Sequence, residues 1–462
     1  MSELTVRAVT GTLLPPSPAP TPAVDTPALA VRSSDSIDEN PRDYIVFGDV
    51  AKLTLRAPTM HGMQFRGGLS GSEPWSTARM TAAEAAELVA QGFQVHEDRP
   101  TAVAKTTPAT GPVSDALANI HQAQDLNALG PEWQGEGGLF ISLDSGVAPH
   151  RDLPPIERFD NVFTESPEDP PADPTHHGTH TTGSAIGRGD PAQGGVRGAA
   201  PRARLMAVQV LDDTGRGTES STLRGLERAI EWARQHDGFV VINVSLSGSA
   251  MVHRDRDPLV QLIERATREH GILFSIAAGN EGPFPGYLGR LGLAPSAITV
   301  AAMDHNGTVD TTDDRIAVFS SRGNGWENKP NIAARGMAVR STIPGDAYSA
   351  LNGTSMGAGL NGGGVLALGQ GLLAMYRRGE LREDPRDLVR RNEFQRIVAE
   401  ASFDNPRIAS DREGSGDLRL MNAREMFLQR FATANTQGPA PYFPRHRMPP
   451  AALPAAGYQP PF

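Results

Sequence analysis

The sequence predicts an α/β fold, a layered sandwich in which helices cover a mostly parallel central sheet. Near-continuous apolar runs recur between residues 138 and 300, as in strands that are buried on both faces of a parallel sheet. Amphipathic helical spacing alternates with these runs, which is typical of a doubly wound sandwich. The strand candidates are Gly138–Leu143, Arg204–Val210, Phe239–Val244, Ile272–Ile276 and Ala297–Val300.

Composition excludes several classes of protein. The 462 residues include no Cys, so a disulfide scaffold, an iron–sulfur cluster, a Cys-ligated zinc and a cysteine nucleophile are excluded. The net charge is −10 without a dense basic run, so no nucleic-acid partner is expected. No apolar run reaches the length of a membrane span, and no signal peptide is recognisable at the start. We therefore expect no membrane partner and a cytoplasmic protein, with non-classical secretion as the alternative.

Five segments divide the chain. Residues 1–42 and 431–462 hold seven and eight of the 38 Pro and show no apolar periodicity, so we expect disordered tails. Residues 43–103 predict a small α+β unit, and residues 104–111 predict a linker. Residues 112–430 carry the alternating strands and helices, and we expect them to form one large α/β domain.

Within the small unit, short patterns predict strands around one helix. Tyr44–Phe47, Leu53–Leu55 and Phe93–His96 are the strand candidates. Thr81–Val89 predicts a helix that begins with a capping box formed by Thr81 and Glu84.

Ligands of open α/β sheets bind at the carboxyl ends of the strands, so the residues that follow each strand are the candidates for chemistry. Asp144 follows the first strand, where it either orients a histidine or caps a turn. The run His176–His180 contains three His, but it lacks the Glu between two His that helical zinc proteases use. No metal ligands are therefore assigned. His177 is interpreted as a general base, and His180 as a buried, hydrogen-bonded histidine.

Two further motifs follow later strands. Asn280 lies between glycines, where it is either a turn residue or a neutral donor to an oxyanion. Ser355 lies in Gly353–Gly357, a G-x-S-x-G pattern that also occurs in α/β-hydrolases. In those enzymes the acid and the His follow the Ser, but here only His446 follows Ser355. The order Asp144, His177, Ser355 is instead that of subtilisin.

With these motifs in this order, the sequence resembles a subtilisin-like serine protease (subtilase) over about residues 112–430. The intervals between the three residues are 33 and 178 positions. The resemblance implies the three-layer subtilisin-like sandwich and a serine endopeptidase. Ser355 would be the nucleophile, His177 its base and Asp144 the orienting acid, with Asn280 in the oxyanion hole.

Residues 43–103 resemble the ferredoxin-like inhibitory pro-domain of this family, mainly through Val95–Ala102. The resemblance implies a self-processing zymogen whose partners are its own pro-domain and protein or peptide substrates. Lys105 is the candidate cleavage position. The residues implied to bind substrate are Ser245, Leu246, Ser247, Ala278 and Gly279.

The family needs no cofactor for catalysis, but structural Ca²⁺ is common in it. Asp152 and Asp190 are the candidate ligands here, and two carboxylates fall short of the 6–8 oxygens that Ca²⁺ takes. Glu281 either faces the first specificity pocket, where it would favour a basic or polar side chain, or is a solvated charge.

The sequence departs from the family after the nucleophile, where Gly359 and Leu360 replace a Pro and a His. Gly362–Gly364 follow directly. One interpretation is that these glycines allow close packing of the helix against the sheet. The other is that they let the helix shift, which would suit a peptide transamidase or dependence on a partner. A catalytically inactive binding module is the remaining alternative.

Overall fold

The computed structural model describes residues 40–48, 64–66, 74–103, 106–108, 126–164, 169–248, 254–306, 313–324, 328–402 and 414–434. The strands are β1 (Arg42–Phe47), β2 (Gln64–Arg66), β3 (Trp75–Met80), β4 (Gln94–Glu97), β5 (Pro100–Val103), β6 (Thr107–Pro108), β7 (Leu139–Asp144), β8 (Ile156–Asn161), β9 (Arg204–Gln209), β10 (Arg216–Thr218), β11 (Val240–Val244), β12 (Leu246–Gly248), β13 (Leu273–Ala277), β14 (Ile298–Asp304), β15 (Arg315–Ile316), β16 (Ile332–Arg335), β17 (Val339–Ile343) and β18 (Ala347–Asn352). The helices are α1 (Ala82–Ala90), α2 (His177–Ile186), α3 (Glu219–Arg234), α4 (Pro258–His270), α5 (Thr354–Arg377), α6 (Pro385–Arg390), α7 (Glu393–Glu400) and α8 (Leu420–Phe431).

The central sheet confirms the predicted α/β class. Its strand order is β15-β14-β13-β11-β7-β9-β8, with β16 also paired to β14. All pairs are parallel except that of β15 with β14. The five predicted strand candidates correspond to β7, β9, β11, β13 and β14, whose residues are almost all buried.

Helices on both faces complete three layers, because the side chains of each strand alternate between two cores. One core contains Phe140, Val241 and Leu273 together with residues of α5 and α8. The other contains Ile141 and Ile242 together with residues of α3 and α4. The carboxyl ends of β7, β11 and β13 therefore meet at one edge, between the two helical layers.

The N-terminal unit is a four-stranded antiparallel sheet of order β2-β3-β1-β4, packed against α1. The predicted capping box is confirmed, since Thr81 accepts from the Glu84 backbone N–H and Glu84 accepts from that of Thr81. The predicted strand Leu53–Leu55 lies outside the described residues. The second face of this sheet, with Ile45 and Trp75, packs into the core that contains α3 and α4.

Two small sheets attach the N-terminal segment to the edge where the strands end. β5 is the middle strand between β10 and β12, antiparallel to both. β6 lies within the predicted linker 104–111 and pairs with β18. Residues 104 and 105, between β5 and β6, lie outside the described residues.

The predicted tails also lie outside the described residues, except for 40–42 and 431–434. Arg42 is the first residue of β1, and Phe431 is the buried last residue of α8. Within the part of the chain that the structure describes, no helix is both long and apolar enough to cross a membrane.

Candidate active site

A carboxylate and an imidazole meet where β7 ends and α2 begins. Asp144 is the last residue of β7, and His177 is the first residue of α2. The Asp144 Oδ1 lies 2.7 Å from the His177 Nδ1, and both side chains are buried. The backbone N–H of Ser145 donates to the same oxygen at 2.7 Å. Asp144 thus caps its own turn and also orients the imidazole, so the two interpretations of this residue are compatible.

Opposing effects act on the pKa of His177. Burial lowers this pKa, whereas the Asp144 carboxylate raises it through its charge and its hydrogen bond, and the charge of Asp173 adds to the increase. The net pKa of His177 is raised. The pair is therefore arranged to stabilise an imidazolium, which a general base forms when it accepts a proton.

Ser355 faces this pair because two helices pack at very short distance. A Cβ atom on Gly359 would lie 2.6 Å from the Thr181 carbonyl oxygen, and one on Gly363 would be closer still to that of Ala185. These contacts recur every four residues along both helices. Four residues before Gly359, the same face of α5 carries Ser355, and four residues before Thr181, the same face of α2 carries His177. Gly359 and Gly363 therefore allow α5 to pack against the helix α2. The expected helix–sheet packing applies to Gly362, where a Cβ atom would lie 3.1 Å from the Phe140 ring.

Neither the Ser355 Oγ nor the His177 Nε2 has a hydrogen-bond partner, although both are buried. Buried polar groups are nearly always paired, so two such atoms on facing helices call for an explanation. Hydrogen bonds of catalytic groups are often long before substrate binds, and they tighten in the complex.

Asn280 presents its amide group to the nucleophile loop. Its Oδ1 accepts from the backbone N–H of Thr354 at 3.0 Å and from the Thr354 Oγ1 at 2.8 Å. This leaves the Nδ2 directed toward Gly353, where it would lie 3.3 Å from a Cβ atom on that glycine. Thr354, which the sequence analysis missed, therefore fixes the orientation of the amide.

The residues predicted to bind substrate lie in two places, around β12 and directly after β13. Leu246 and Ser247 lie on β12, opposite Val103 and Ala102 of β5. The hydroxyl of Ser245 is buried and accepts from Asn243.

Ala278 and Gly279 follow β13, and their backbone groups are paired within the protein: the Ala278 N–H donates to the Val300 carbonyl and the Gly279 N–H to the Thr354 Oγ1. Gly279 has φ +105°, and a Cβ atom there would lie 2.6 Å from the carboxylate of Glu281. Ser321 holds that carboxylate with a 3.1 Å hydrogen bond, while Glu281 itself remains exposed. Both interpretations of Glu281 stay open.

Asp173 is a second buried carboxylate, which the sequence analysis also missed. It accepts from the Ser145 Oγ at 2.8 Å and from the Thr179 backbone N–H at 2.7 Å. Burial raises its pKa, its hydrogen bonds to Thr179 and Ser145 lower it, and the charge of Asp144 raises it further. The only signal in the sequence is an Asp shortly before the His-rich run, which is weak by itself.

His180 has the buried, hydrogen-bonded role that the sequence predicts. Its Nε2 lies 3.1 Å from the Ser349 carbonyl oxygen, to which it donates. Burial, with a smaller contribution from His177, lowers its pKa to about 3. His180 is therefore neutral at ordinary pH and holds α2 to β18.

The two candidate Ca²⁺ ligands do not fit a cation. Asp152 accepts from the Val196 backbone N–H at 2.8 Å and from the Tyr348 hydroxyl at 2.7 Å. Asp190 caps the N–H of Ala192 in a short helix. Within the described residues, no three His, Asp or Glu side chains group as a metal site would require. We therefore assign no chemistry to a metal.

Comparison with known proteins adds independent findings. The profile of the subtilase family (peptidase S8) matches residues 138–382, more than half of the chain. Serine protease AprX of Bacillus subtilis (strain 168) is 32% identical over 263 residues, which are 52% of this chain and 59% of that protein. Subtilisin E of the same organism is 36% identical over 228 residues, which are 48% and 53% of the two chains. The chain thus spans only part of the length of these relatives.

Among solved structures, the chain is similar to fervidolysin from Fervidobacterium pennivorans, described as a keratinolytic enzyme related to subtilisin. The TM-score is 0.62 at 19% identity, and the match covers 84% of this chain and 61% of the other. At this identity the similarity concerns the fold alone.

Proposed function

The chain belongs to the subtilase family, and on that premise we propose that it is a serine endopeptidase that uses Asp144, His177 and Ser355. One observation carries the proposal. The Asp144 carboxylate lies 2.7 Å from the His177 imidazole, and the Ser355 Oγ and the His177 Nε2, on two closely packed helices, are both buried without a hydrogen-bond partner.

In the acylation step, the Ser355 Oγ attacks the carbonyl carbon of the scissile peptide bond. The His177 Nε2 accepts the hydroxyl proton and then donates it to the leaving nitrogen as the C–N bond breaks. Asp144 keeps the proton on Nδ1 and stabilises the imidazolium. Water then attacks the acyl-enzyme by the same route, so the net reaction is hydrolysis.

The negative oxygen of the tetrahedral intermediate would be held by the Asn280 Nδ2 and the backbone N–H of Ser355. A neutral donor that is already fixed by Thr354 needs little reorganisation as charge develops. Removing such an Asn lowers kcat by about 10²–10³, a magnitude known from subtilisin itself.

Substrate would bind as an added β-strand. β5 lies between β10 and β12, and β6 pairs with β18, which leads directly into Gly353. A peptide that enters these positions gains main-chain hydrogen bonds, which tolerate many side chains. The chain's own residues 100–103 and 107–108 therefore mark the two sides of the proposed cleft.

The same arrangement supports a zymogen in which the N-terminal unit blocks the cleft. Asp98, just before β5, accepts hydrogen bonds from the backbone N–H and the hydroxyl of Ser220, at 2.8 and 2.7 Å. Ser220 lies in the first turn of α3. The Trp75 indole donates to Glu227 at 3.1 Å. These contacts would remain after cleavage, so a cleaved unit would still inhibit.

Self-cleavage would fall between Val103 and Thr106, which flank Lys105. Lys105 itself lies outside the described residues. Amino-terminal sequencing of the mature protein tests this assignment, and a start outside 104–106 contradicts it.

A fluorophosphonate probe tests the proposed activity as a whole. We expect it to label the processed wild-type protein and not Ser355→Ala, with cleavage of protein substrates lost in the same variant. Absence of labelling in both would favour an inactive binding module. Product masses with an added amine separate hydrolysis from transamidation, and the packing of Gly359 on Thr181 gives no support to the latter. Cell fractionation tests the expected cytoplasmic location.

A further inference from the structure

A row of polar side chains crosses the central sheet directly beneath the candidate active site. Ser142 on β7, Asn243 on β11 and Ser275 on β13 are register partners on adjacent strands. Phe140 and Val241, two residues earlier on their strands, belong to the core on the α5 side, so the row faces α5. All three side chains are buried.

The row lies one step below the catalytic edge. Two residues further along the same strands and on the same face are Asp144, Ser245 and Ala277. At the rise of a β-strand this is a distance of about 7 Å. The row is therefore adjacent to the site but does not contact substrate.

Asn361 of α5 joins this row. Its Nδ2 donates to the Ser275 Oγ at 2.8 Å, and Ser275 in turn donates to the Ala358 carbonyl oxygen at 2.8 Å. On the other side, the Asn243 Nδ2 donates to the Ser245 Oγ at 3.1 Å. Ala358 lies one turn after the nucleophile, whereas Ser245 leads into β12. Asn243, in the middle of the row, is thus tied to the residue before β12, and Ser275, at one end of the row, is tied to α5.

Three atoms of this cluster have no partner: the Ser142 Oγ, the Asn243 Oδ1 and the Asn361 Oδ1. All three are buried, and an unpaired buried polar atom is costly. Their hydrogen-bonding capacities complement a single water molecule. The two amide oxygens each accept one proton, and the Ser142 hydroxyl donates one, which gives the water the three hydrogen bonds that buried waters typically make.

We propose that Ser142, Asn243 and Asn361 hold one buried water, which completes a polar bridge from β11 to α5. Through this bridge Asn361 acts as a positioning residue that keeps Ser355 in register with the substrate-binding strand. The positioning role rests on the proposed function, whereas the water site does not.

The first test is a high-resolution crystal structure of the full chain carrying Ser355→Ala, which prevents self-cleavage. We expect one water within about 2.7–3.2 Å of all three atoms. The proposal is overturned if the three atoms are bonded directly to one another or if no water contacts them. This result does not depend on whether the chain is a peptidase.

The second test compares Asn361→Leu with Gln370→Leu in the processed enzyme. Gln370 is a buried residue of the same helix that accepts from the Phe239 N–H at 2.9 Å and donates to the Glu136 carbonyl at 3.0 Å. We expect Asn361→Leu to lower kcat by about tenfold or more with KM unchanged, because a misplacement of about 1 Å can cost 10²-fold. Gln370→Leu should lower the unfolding temperature but leave kcat within about twofold.

Equal kcat values for the two variants would refute the positioning role. If Asn361→Leu does not fold, the crystal structure still decides whether the water is present. If the wild-type protein is inactive, the proposed function fails while the water site is judged on its density alone.

Discussion

The part of the chain that the structure describes contains two buried His–Asp pairs, and they differ in what surrounds them. His177 lies 2.7 Å from Asp144, and His305 lies 3.2 Å from Asp314. Both pairs follow the carboxyl end of a parallel strand, β7 in one case and β14 in the other. A His–Asp pair at a strand end is therefore not sufficient to identify an active site.

The neighbours of each pair make the difference. His177 faces a serine at the start of α5, with the Asn280 amide beside it. Buried charged residues surround the other pair. One is Arg335: burial lowers its pKa, and the charge of Asp314 partly offsets this decrease. Another is Asp417: burial raises its pKa, whereas Arg419 and His305 lower it. The second pair thus lies among buried charged side chains near the ends of β14 and β16.

The two pairs should differ most when each histidine is removed. We expect His177→Ala to lower kcat by about 10⁶-fold, because the members of a triad act as a unit. His305→Ala should leave kcat almost unchanged and destabilise the fold by about 1–3 kcal/mol, because it leaves the buried Asp314 carboxyl group without its 3.2 Å neighbour. Kinetics with a peptide substrate and urea unfolding measure the two effects, after wild-type enzyme has processed both variants. A large decrease of kcat in His305→Ala would contradict the proposed difference between the two pairs.

Replacing the two carboxylates sharpens the same contrast. Asp144→Asn should keep the geometry but favour the wrong tautomer of His177, with a loss of about 10⁴-fold in kcat. Asp314→Asn is the matched control, and we expect it to change stability alone. Equal kcat losses in the two variants would show that the second pair also affects catalysis, contrary to this contrast.

The contact between α5 and α2 gives a smaller effect. Gly359→Ala would place a methyl group 2.6 Å from the Thr181 carbonyl oxygen, so Ser355 must move away from His177. We expect a destabilisation of about 1–3 kcal/mol from overpacking, together with a lower kcat. The control is Gly357→Ala, whose methyl group would lie 3.2 Å from its nearest neighbour, the Ala334 carbonyl oxygen.

Hydrogen exchange on the wild-type enzyme examines the alternative that α5 is mobile. We expect the amides of α5 to exchange as slowly as those of β7 and β11. Faster exchange in α5, or a harmless Gly359→Ala, would favour the shifting helix.

The smallest effect is a displacement of the pH profile. The charge of Asp173 contributes to the raised pKa of His177, so Asp173→Asn lowers that pKa. Because the reaction needs neutral His177, the acid limb of kcat/KM should move to lower pH. Asp190→Asn, at an exposed cap, should leave the limb in place. The electrostatic role of Asp173 would be refuted if the acid limb of kcat/KM stayed in place or moved to higher pH in Asp173→Asn.

Much of the fold was predictable because its signals are local. The runs that form β7, β9, β11, β13 and β14 are apolar throughout, and the capping box at Thr81 is a four-residue pattern. The positions of Asp144, His177 and Ser355 followed from motifs and their order. The site partners Thr354 and Asp173 were not predictable, because their roles depend on side chains brought near by other elements.

The sequence by itself determined the strand runs, the order of the residues of the proposed triad and the family, since these depend on residue type and spacing along the chain. Only the tertiary structure decided why Gly359 replaces a proline, where the polar row around Asn243 lies, and that residues 100–103 form a strand beside the site. Each of these depends on a contact between segments far apart in the chain. Such contacts are set by the packing of whole helices and sheets, which no short pattern encodes.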